Sequence, residues 1–185
     1  MLIHPAQSDL RRQPAAYDAS PRERELGAFT QSLDDTRLDA SVLMLPLVGF
    51  IEPEDPRMRS TLERIRERLM VDGLVYRYRD PIDGLRGGEG AFSICTFWFI
   101  DGLTLSGQLD EAHRLFERML GYSTDLGLYS EEIDPATGEL LGNFPQAFTH
   151  IALINAALNL TKAQQRGHRR LQGDQAERAA SVQGA

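Results

Sequence analysis

Three segments of this chain are apolar on nearly every side of a helix, which limits the folds it can adopt. They begin near residues 39, 91 and 146 and end near residues 48, 105 and 161. A helix without a polar face must be covered on all sides, so these segments predict buried helices. Asp39 or Ser41 could cap the first helix, and Pro46 predicts that it is short or kinked.

Segments with a single apolar stripe separate the buried ones. Residues 58–69 place apolar side chains at intervals of four, three and four residues, and residues 109–119 show a similar stripe. Such stripes are typical of surface helices that cover a core. The alternation predicts an all-α fold with two concentric helical layers, an α/α toroid. A solenoid of helix pairs is the rival fold, but the units share no self-similar signature.

The loops that lead into the buried helices are long and polar. Residues 71–90 predict an extended or looped stretch, because apolar and aromatic side chains alternate there before a glycine-rich end. The inner helices of a toroid run parallel, so the loops that precede them should open on the same rim. We therefore expect Glu89, Trp98 and Glu131 to lie near one another.

The composition is that of a soluble globular domain, with 42% apolar and 25% charged residues in a chain of 185. No apolar run reaches the roughly 18 residues of a membrane-spanning helix. The first residues do not resemble a signal peptide, so we expect a cytoplasmic protein without a membrane partner. The net charge of -7 argues against nucleic-acid binding. Scattered histidines and a single cysteine, Cys95, predict neither a metal site nor a cofactor.

An acidic loop precedes the third buried helix. Residues 127–135 contain the adjacent carboxylates Glu131 and Glu132, and residues 142–146 lead on into the helix. A carboxylate at the mouth of a core can have the shifted pKa that acid or base catalysis uses. An ordinary exposed turn has the same composition, so spacing alone leaves both interpretations open.

Five motifs follow one another along the chain. They are DASVL at 39–43, DGLVYRY at 72–78, EGAF at 89–92 with FW at 97–98, GLYSEEIDP at 127–135 and GNFPQAFTH at 142–150. Taken together, these motifs resemble the bacterial branch of the family 15 glycoside hydrolases. That family includes glucoamylases, glucodextranases and certain trehalases, and the similarity extends over about residues 22–160.

The resemblance implies an (α/α)6 barrel that hydrolyses α-linked glucosides with inversion of configuration. Inversion needs one carboxylic acid to protonate the leaving oxygen and one carboxylate to activate a water on the opposite face of the sugar. The family motif assigns the general base to Glu131. Glu132 is then a structural or solvated neighbour.

The resemblance also implies a sugar pocket built from several loops. Trp98 would either present its ring to the sugar or fill the core, and Tyr129 would either hydrogen-bond the base or pack beside it. Gln146 and His150, on one helix face, could orient the base or a water, although His150 could equally be a satisfied buried histidine. The predicted substrate-binding residues are Arg77, Glu89, Trp98, Tyr129, Gln146 and His150.

The chain departs from the family pattern near its start. Nothing in residues 1–38 resembles the family's general-acid motif, and five predicted helices are about half of a ring. We expect an irregular segment over residues 1–21, the C-terminal half of a barrel over residues 22–163, and a disordered or frayed tail over residues 164–185.

Half of a ring would leave apolar inner faces partly exposed. The affected residues would be Leu43, Leu47, Phe92, Trp98 and Ile151. An apolar surface of that extent favours association, so we expect either self-association or an upstream polypeptide that completes the barrel.

The predicted function is an inverting α-glucosidase of glucoamylase type, in a truncated chain without its general acid. Its substrate would be an oligo- or polysaccharide with α-linked glucose. A trehalase-type hydrolase acting on trehalose is one alternative. A second alternative keeps activity within the chain, with Glu89 as the acid opposite Glu131. A third is a non-catalytic barrel half that needs an upstream partner.

Overall fold

The computed structural model describes residues 20–33, 35–79 and 89–183 of the chain. This part is mostly helical, with five α-helices, one 3₁₀ helix and two small antiparallel sheets. None of the helices described is both long enough and apolar enough to cross a bilayer. Most of the predicted irregular segment, residues 1–19, lies outside the described residues.

Long helices alternate with short strands along the chain. The helices are α1 (Pro21–Leu26), the 3₁₀ helix (Ala40–Met44), α2 (Pro56–Leu69), α3 (Ser93–Leu105), α4 (Leu109–Leu120) and α5 (Ala147–Gln183). The strands are β1 (Met70–Val71), β2 (Leu74–Val75), β3 (Ala91–Phe92), β4 (Glu132–Ile133) and β5 (Leu140–Leu141). Strands β1 and β2 form a hairpin, and β4 lies between β3 and β5 in the second sheet.

Helix α2 has the start and the buried face that its sequence predicts. The Asp55 side chain accepts a hydrogen bond from the Arg57 N–H at 2.8 Å, and Pro56 occupies the first helical position, where an N–H has no partner within the helix. The predicted apolar stripe is buried, as expected for a helix that covers a core. Its members are Met58, Leu62, Ile65 and Leu69.

Helix α3 lies at the centre of the core and contacts α2, α4, α5 and the 3₁₀ helix. Ten of its 13 residues are buried, which confirms the prediction of a helix without a polar face. Its approach to α2 depends on Gly102, because a Cβ at that position would lie 2.9 Å from Leu62 Cδ1. The helix begins at Ser93 rather than at Ala91, because Ala91 and Phe92 pair with β4.

The first predicted buried helix is a short 3₁₀ helix that ends before Pro46, as the proline predicts. Asp39 caps it by accepting a hydrogen bond from the Ser41 N–H at 2.7 Å. The Ala40 N–H donates to the Arg77 carbonyl at 2.8 Å. This bond joins the 3₁₀ helix to the chain that follows the β1–β2 hairpin.

Helix α5 is longer and more one-sided than the sequence indicated. It continues to Gln183, whereas a frayed tail was expected from residue 164. That stretch has no proline and many alanine, glutamine and arginine residues, which favour a helix. The face that includes Ala152 and Ala156 is buried, and α5 packs on α3. Among the side chains of α5 that the structure describes, those up to residue 169, four large apolar ones are exposed: Phe148, Ile151, Ile154 and Leu158.

The side chains predicted to lie on an exposed inner face differ in their burial. Ile151 is 54% exposed, as expected. Leu47, Phe92 and Trp98 are partly buried. Leu43 is fully buried, so the prediction for this residue is wrong. The reason is that the small Gly102 lets α3 approach the 3₁₀ helix closely enough to cover the Leu43 side chain.

Candidate active site

The predicted base loop is attached to the start of α3. Strand β3, immediately before that helix, pairs with β4 so that Phe92 lies opposite Glu132. The Ser93 N–H, in the first turn of α3, donates to the Glu131 carbonyl at 2.9 Å. The central helix of the core therefore fixes the backbone of both acidic residues.

Glu131 and Asn143 hold each other through three hydrogen bonds. The Glu131 N–H donates to the Asn143 carbonyl at 2.9 Å. The Asn143 N–H and its side-chain Nδ2 both donate to Glu131 Oε2, at 3.1 Å and 2.8 Å. Among the described residues, both hydrogen bonds to the Glu131 carboxylate go to Oε2 and none goes to Oε1.

Gly142 lets the chain pass directly against the Glu131 carboxylate. Its φ is 72°, in the left-handed region that favours glycine. A Cβ at this position would lie 2.9 Å from Glu131 Oε2 and 3.0 Å from Glu131 Cβ. A side chain at position 142 would therefore displace the carboxylate or the loop that holds it.

Glu132 is tied to the opposite neighbour, the chain before β3. Its Oε2 accepts a hydrogen bond from the Gly90 N–H at 2.9 Å. Burial raises the pKa of Glu132, the Gly90 hydrogen bond opposes the rise, and the nearby Glu131 charge adds to it. Neighbouring residues of a strand point to opposite faces, so Glu132 faces Gly90 whereas Glu131 faces Asn143. Glu132 thus has the place of a structural neighbour.

Tyr129 packs in the core and does not hydrogen-bond Glu131. It is 1% exposed, and its ring lies edge-on to Phe97 and His150, with centroids 6.0 Å and 5.7 Å away. Its hydroxyl has no hydrogen-bond partner among the residues that the structure describes. Burial raises the pKa of Tyr129. The nearby Ser123 hydroxyl opposes this rise, although the two hydroxyls do not form a hydrogen bond.

His150 and Gln146 bind the base loop to α5. His150 Nδ1 lies 2.7 Å from the Gln146 carbonyl, and His150 Nε2 accepts from the Tyr129 N–H at 3.3 Å. A carbonyl needs a donor and an N–H needs an acceptor, so this pattern places the proton on Nδ1 of a neutral imidazole. The Gln146 N–H also donates to the Tyr129 carbonyl at 2.9 Å. Both ring nitrogens of the partly buried His150 are therefore bound to backbone groups.

Arg77 lies beside the cap of the 3₁₀ helix. Its Nε is 3.3 Å from Asp39 Oδ2, and Asp39 is 3% exposed. Burial raises the pKa of the Cys95 thiol, the Asp39 charge adds to the rise and the Arg77 charge opposes it. The Val75 N–H, two residues before Arg77, donates to the Thr96 hydroxyl at 3.0 Å, so this segment lies beside the first turn of α3, the helix whose start also holds Glu131.

Glu89 and Trp98 complete the set of predicted residues. Glu89 is exposed and directly precedes Gly90, whose N–H binds Glu132, so the Glu89 loop does lie against the acidic loop. Trp98 is partly buried and packs on the hydrophobic core, which agrees with the core-filling alternative. The loops before residues 91 and 146 therefore both contact the acidic loop that contains Glu131. The first does so through the hydrogen bond from Gly90 to Glu132, and the second through the hydrogen bond from Gln146 to Tyr129.

Sequence reasoning missed the residues that hold Glu131. Asn143 and Gly142 belong to the motif at 142–150, but nothing local in the sequence pairs them with a carboxylate 12 and 11 residues earlier, respectively. Ser93 was also missed; its hydroxyl is buried without a hydrogen-bond partner among the described residues. The sequence offered one signal for this contact, the pair Gly142–Asn143 shortly before a helix. A glycine in such a loop can indicate a close approach to another segment of the chain.

The family is established by comparison with known sequences. The sequence model of the family described as Glycosyl hydrolases family 15 matches residues 24–158. This range includes the Glu131–Asn143 pair, Gly90 and the whole of α3. The chain belongs to family 15 of the glycosyl hydrolases.

Curated relatives within this family carry the name trehalase. A trehalase of Mycobacterium tuberculosis is 50% identical over 141 residues, which is 75% of this chain and 21% of that protein. A trehalase of Mycolicibacterium smegmatis is 48% identical over 141 residues, with the same coverage. A trehalase of Thermoplasma acidophilum is 44% identical over 139 residues, which is 24% of its length. The chain thus spans less than a quarter of each of these relatives.

Solved structures of glycosidases share the fold at lower sequence identity. A wild-type glycosidase superposes with a TM-score of 0.63 and 20% identity, over 83% of this chain and 43% of that one. A variant glycosidase solved in complex with glucose gives a TM-score of 0.63 and 19% identity over the same shares. The helices described above therefore correspond to less than half of a glycosidase structure.

Proposed function

We propose that this chain forms the general-base side of the active site of an inverting α-glucoside hydrolase. Glu131 is the base, and residues 22–163 are the C-terminal half of an (α/α)6 barrel. The observation that supports this most directly is the clamped carboxylate of Glu131, with Oε2 bound twice by Asn143 and Oε1 unused in the described residues. A general base needs this arrangement: a fixed carboxylate with one oxygen available for a water proton.

The reaction also requires a carboxylic acid on the other side of the scissile bond. In inverting enzymes the two carboxyl groups lie about 6.5–9.5 Å apart, which leaves room for the water. Glu132 is a poor candidate, because it is adjacent to Glu131 and its Oε2 is bound to Gly90. We propose that the acid comes from the part of the barrel for which this chain has no counterpart, and Glu89 is the alternative within the chain.

Trehalose is the substrate that the relatives favour. The relatives that match with 44–50% identity are named trehalases, and the matched region includes the base loop. The glucoamylase type, with maltooligosaccharide substrates, is the second candidate. The surrounding loops select the linkage, and only some of those loops belong to this chain.

The exposed face of α5 supports a partner that completes the barrel. Phe148, Ile151, Ile154 and Leu158 lie three or four residues apart and are each more than half exposed. A stripe with this spacing is the part of a helix that another helix covers. We propose that the remaining barrel helices bind here, because the solved glycosidases have more than half of their length beyond the matched part.

The test is reconstitution followed by analysis of the sugar products. The chain is co-expressed with Mycolicibacterium smegmatis trehalase from which the matching 141-residue segment has been removed. The purified complex is given trehalose or maltose, and the anomers are followed by proton NMR. Inverting hydrolysis of trehalose should first release equal amounts of α- and β-glucose. One glucose loses its C1 bond to the bridging oxygen and changes to the β form, whereas the other keeps that oxygen and remains α.

Each outcome distinguishes one proposal from another. Turnover of trehalose in preference to maltose supports the trehalase type, and the reverse supports the glucoamylase type. Turnover by the chain alone, lost on Glu89→Gln, supports the acid within the chain. A complex that forms but hydrolyses neither sugar contradicts the catalytic proposal.

A pair of variants tests the α5 interface. Phe148→Glu combined with Ile151→Glu should prevent copurification, because charged side chains would replace the apolar stripe. Val48→Glu is the matched control, since Val48 is also a large apolar side chain, 68% exposed, but lies in the turn after the 3₁₀ helix. Equal copurification of all three proteins would contradict the proposed interface.

A further inference from the structure

The side-chain amide of Asn143 makes a contact that the loop backbone does not need. The Glu131 N–H and the Asn143 carbonyl already join the two segments at 2.9 Å, and the Asn143 N–H adds a bond of 3.1 Å to Oε2. The amide Nδ2 adds a second, shorter bond of 2.8 Å to the same oxygen. Its effect is therefore on the orientation of the carboxylate rather than on the path of the chain.

From this geometry we propose that Asn143 is the positioning residue of the general base, holding Glu131 so that Oε1 faces the attacking water. This inference rests on the proposed function of Glu131. Two donors on Oε2 fix the plane of the carboxylate, whereas a free glutamate side chain would sample several rotamers. An uncharged donor suits this task, because a lysine or arginine would pair with the carboxylate and weaken it as a base.

Two other side chains that were predicted to act on Glu131 do not hydrogen-bond it. His150 uses Nδ1 for the Gln146 carbonyl and Nε2 for the Tyr129 N–H. The Tyr129 hydroxyl is buried without a hydrogen bond to Glu131. In the described ranges, Asn143 is thus the residue whose side chain donates to Glu131. Gly142, with a φ of 72°, brings this amide to the carboxylate without placing a side chain against it.

The first test needs no catalytic activity. The chain is labelled with carbon-13 at its glutamate carboxyl groups, and the NMR signal of Glu131, assigned with Glu131→Gln, is titrated with pH. Asn143→Ala removes one donor from the ionised form, so the titration midpoint of Glu131 should be measurably higher in this variant than in the wild type. Asn143→Asp, nearly the same size, should raise the midpoint further, because it places a second negative charge there.

Glu132 provides the control within each spectrum. Its carboxylate is bound by Gly90 rather than by Asn143, so its midpoint should change by no more than about 0.2 unit in Asn143→Ala. An unchanged Glu131 midpoint in both variants would overturn the proposal. Equal changes at Glu131 and Glu132 would also overturn it, since they would show a general loosening of the sheet.

The second test uses the reconstituted complex. Asn143→Ala should lower kcat about 10- to 100-fold with little change in KM, because the substrate still binds but the base is poorly oriented. The acid limb of the kcat/KM profile should move to higher pH. If Asn143→Ala lowered kcat/KM only by raising KM, the result would contradict the proposal that Asn143 positions Glu131. If Glu131→Gln leaves turnover intact, the function of Glu131 is wrong, while the NMR titration still decides whether Asn143 holds it.

Discussion

The side-chain amide of Asn159 donates to the Asp101 carboxylate at 2.9 Å, across the contact between α3 and α5. Asp101 is 1% exposed, and no hydrogen bond other than this one reaches its carboxylate from the described residues. Burial raises the pKa of Asp101 to about 6, and the Asn159 hydrogen bond opposes the rise. Helix α5, which follows the Asn143 loop, is thus joined to the central helix α3 through a carboxyl group whose pKa is raised to about 6.

Asp101 should make the chain more stable in weak acid than at neutral pH. Its pKa is higher in the folded chain than in the unfolded one, so the folded state binds the proton more tightly. The resulting stabilisation is complete below about pH 4 and is lost as the pH rises through 6, for a total of about 2 to 3 kcal/mol. Urea unfolding at several pH values should show this loss in the wild type and not in Asp101→Asn.

Asp125→Asn is the control for the Asp101 experiment. Asp125 is exposed, so its replacement should leave the pH dependence of unfolding unchanged. If Asp101→Asn keeps the wild-type pH dependence between pH 4 and pH 7, the buried carboxyl is not its source.

A methyl group at position 142 should disturb Glu131. Gly142→Ala combines a left-handed backbone with a Cβ 2.9 Å from Glu131 Oε2. Gly127→Ala is a matched control, since Gly127 has the same φ of 72° and nothing within 4 Å of its added Cβ. The control should lose about 1 kcal/mol of unfolding free energy from the backbone alone, and Gly142→Ala should lose about 1 kcal/mol more.

The extra loss at position 142 should depend on the glutamate side chain. In a background of Glu131→Gly, Gly142→Ala and Gly127→Ala should destabilise the chain to the same extent, because the two atoms that the added Cβ would meet, Oε2 at 2.9 Å and Cβ at 3.0 Å, are gone. Chemical denaturation of the four variants measures this coupling. A difference that persists without the Glu131 side chain would place the collision elsewhere.

Arg66 should stabilise the packing of α2, α3 and α4. Its Nη1 donates to Glu111 Oε1 of α4 at 2.7 Å, and its guanidinium lies 5.5 Å from the ring centre of Phe99 in α3. Arg66 Nε also lies 3.4 Å from Glu63 Oε2, although Nε and Nη2 are buried without a hydrogen bond in the described residues. Arg66→Ala should lower the free energy of unfolding by about 1 kcal/mol, since it removes these contacts and leaves Glu111 unpaired. Arg64→Ala should cost less than about 0.5 kcal/mol, because Arg64 makes an exposed pair with Glu67 in the same helix. Similar losses in the two variants would contradict this account.

The helices and their buried faces could be predicted because their signals are local. Asp55 and Pro56 mark the start of α2, and the apolar spacing of residues 58–69 identifies its buried stripe. The absence of a polar face likewise predicted the central place of α3. Pro46 predicted the short first helix for the same reason, since a proline restricts the backbone wherever it occurs.

The sheet that holds the candidate base could not be predicted in this way. Strands β3, β4 and β5 have two residues each, too few for an alternating pattern. Their pairing depends on two close contacts between distant residues. Gly90 lies against Glu132, 42 positions further along the chain, and Gly142 lies against Glu131, 11 positions earlier. The sequence resemblance pointed to Glu131, but only the folded chain shows that Asn143 holds it and that His150 is occupied by backbone groups.

The most direct measurement of the central claim is the rate of trehalose hydrolysis by the reconstituted complex with Glu131→Gln. Glutamine keeps the size of the side chain but cannot accept a proton from water. If Glu131 is the general base, kcat should fall by about 100- to 10,000-fold, while Glu132→Gln should retain much of the activity. A Glu131→Gln complex that hydrolyses trehalose within about threefold of the wild-type rate would contradict the assignment.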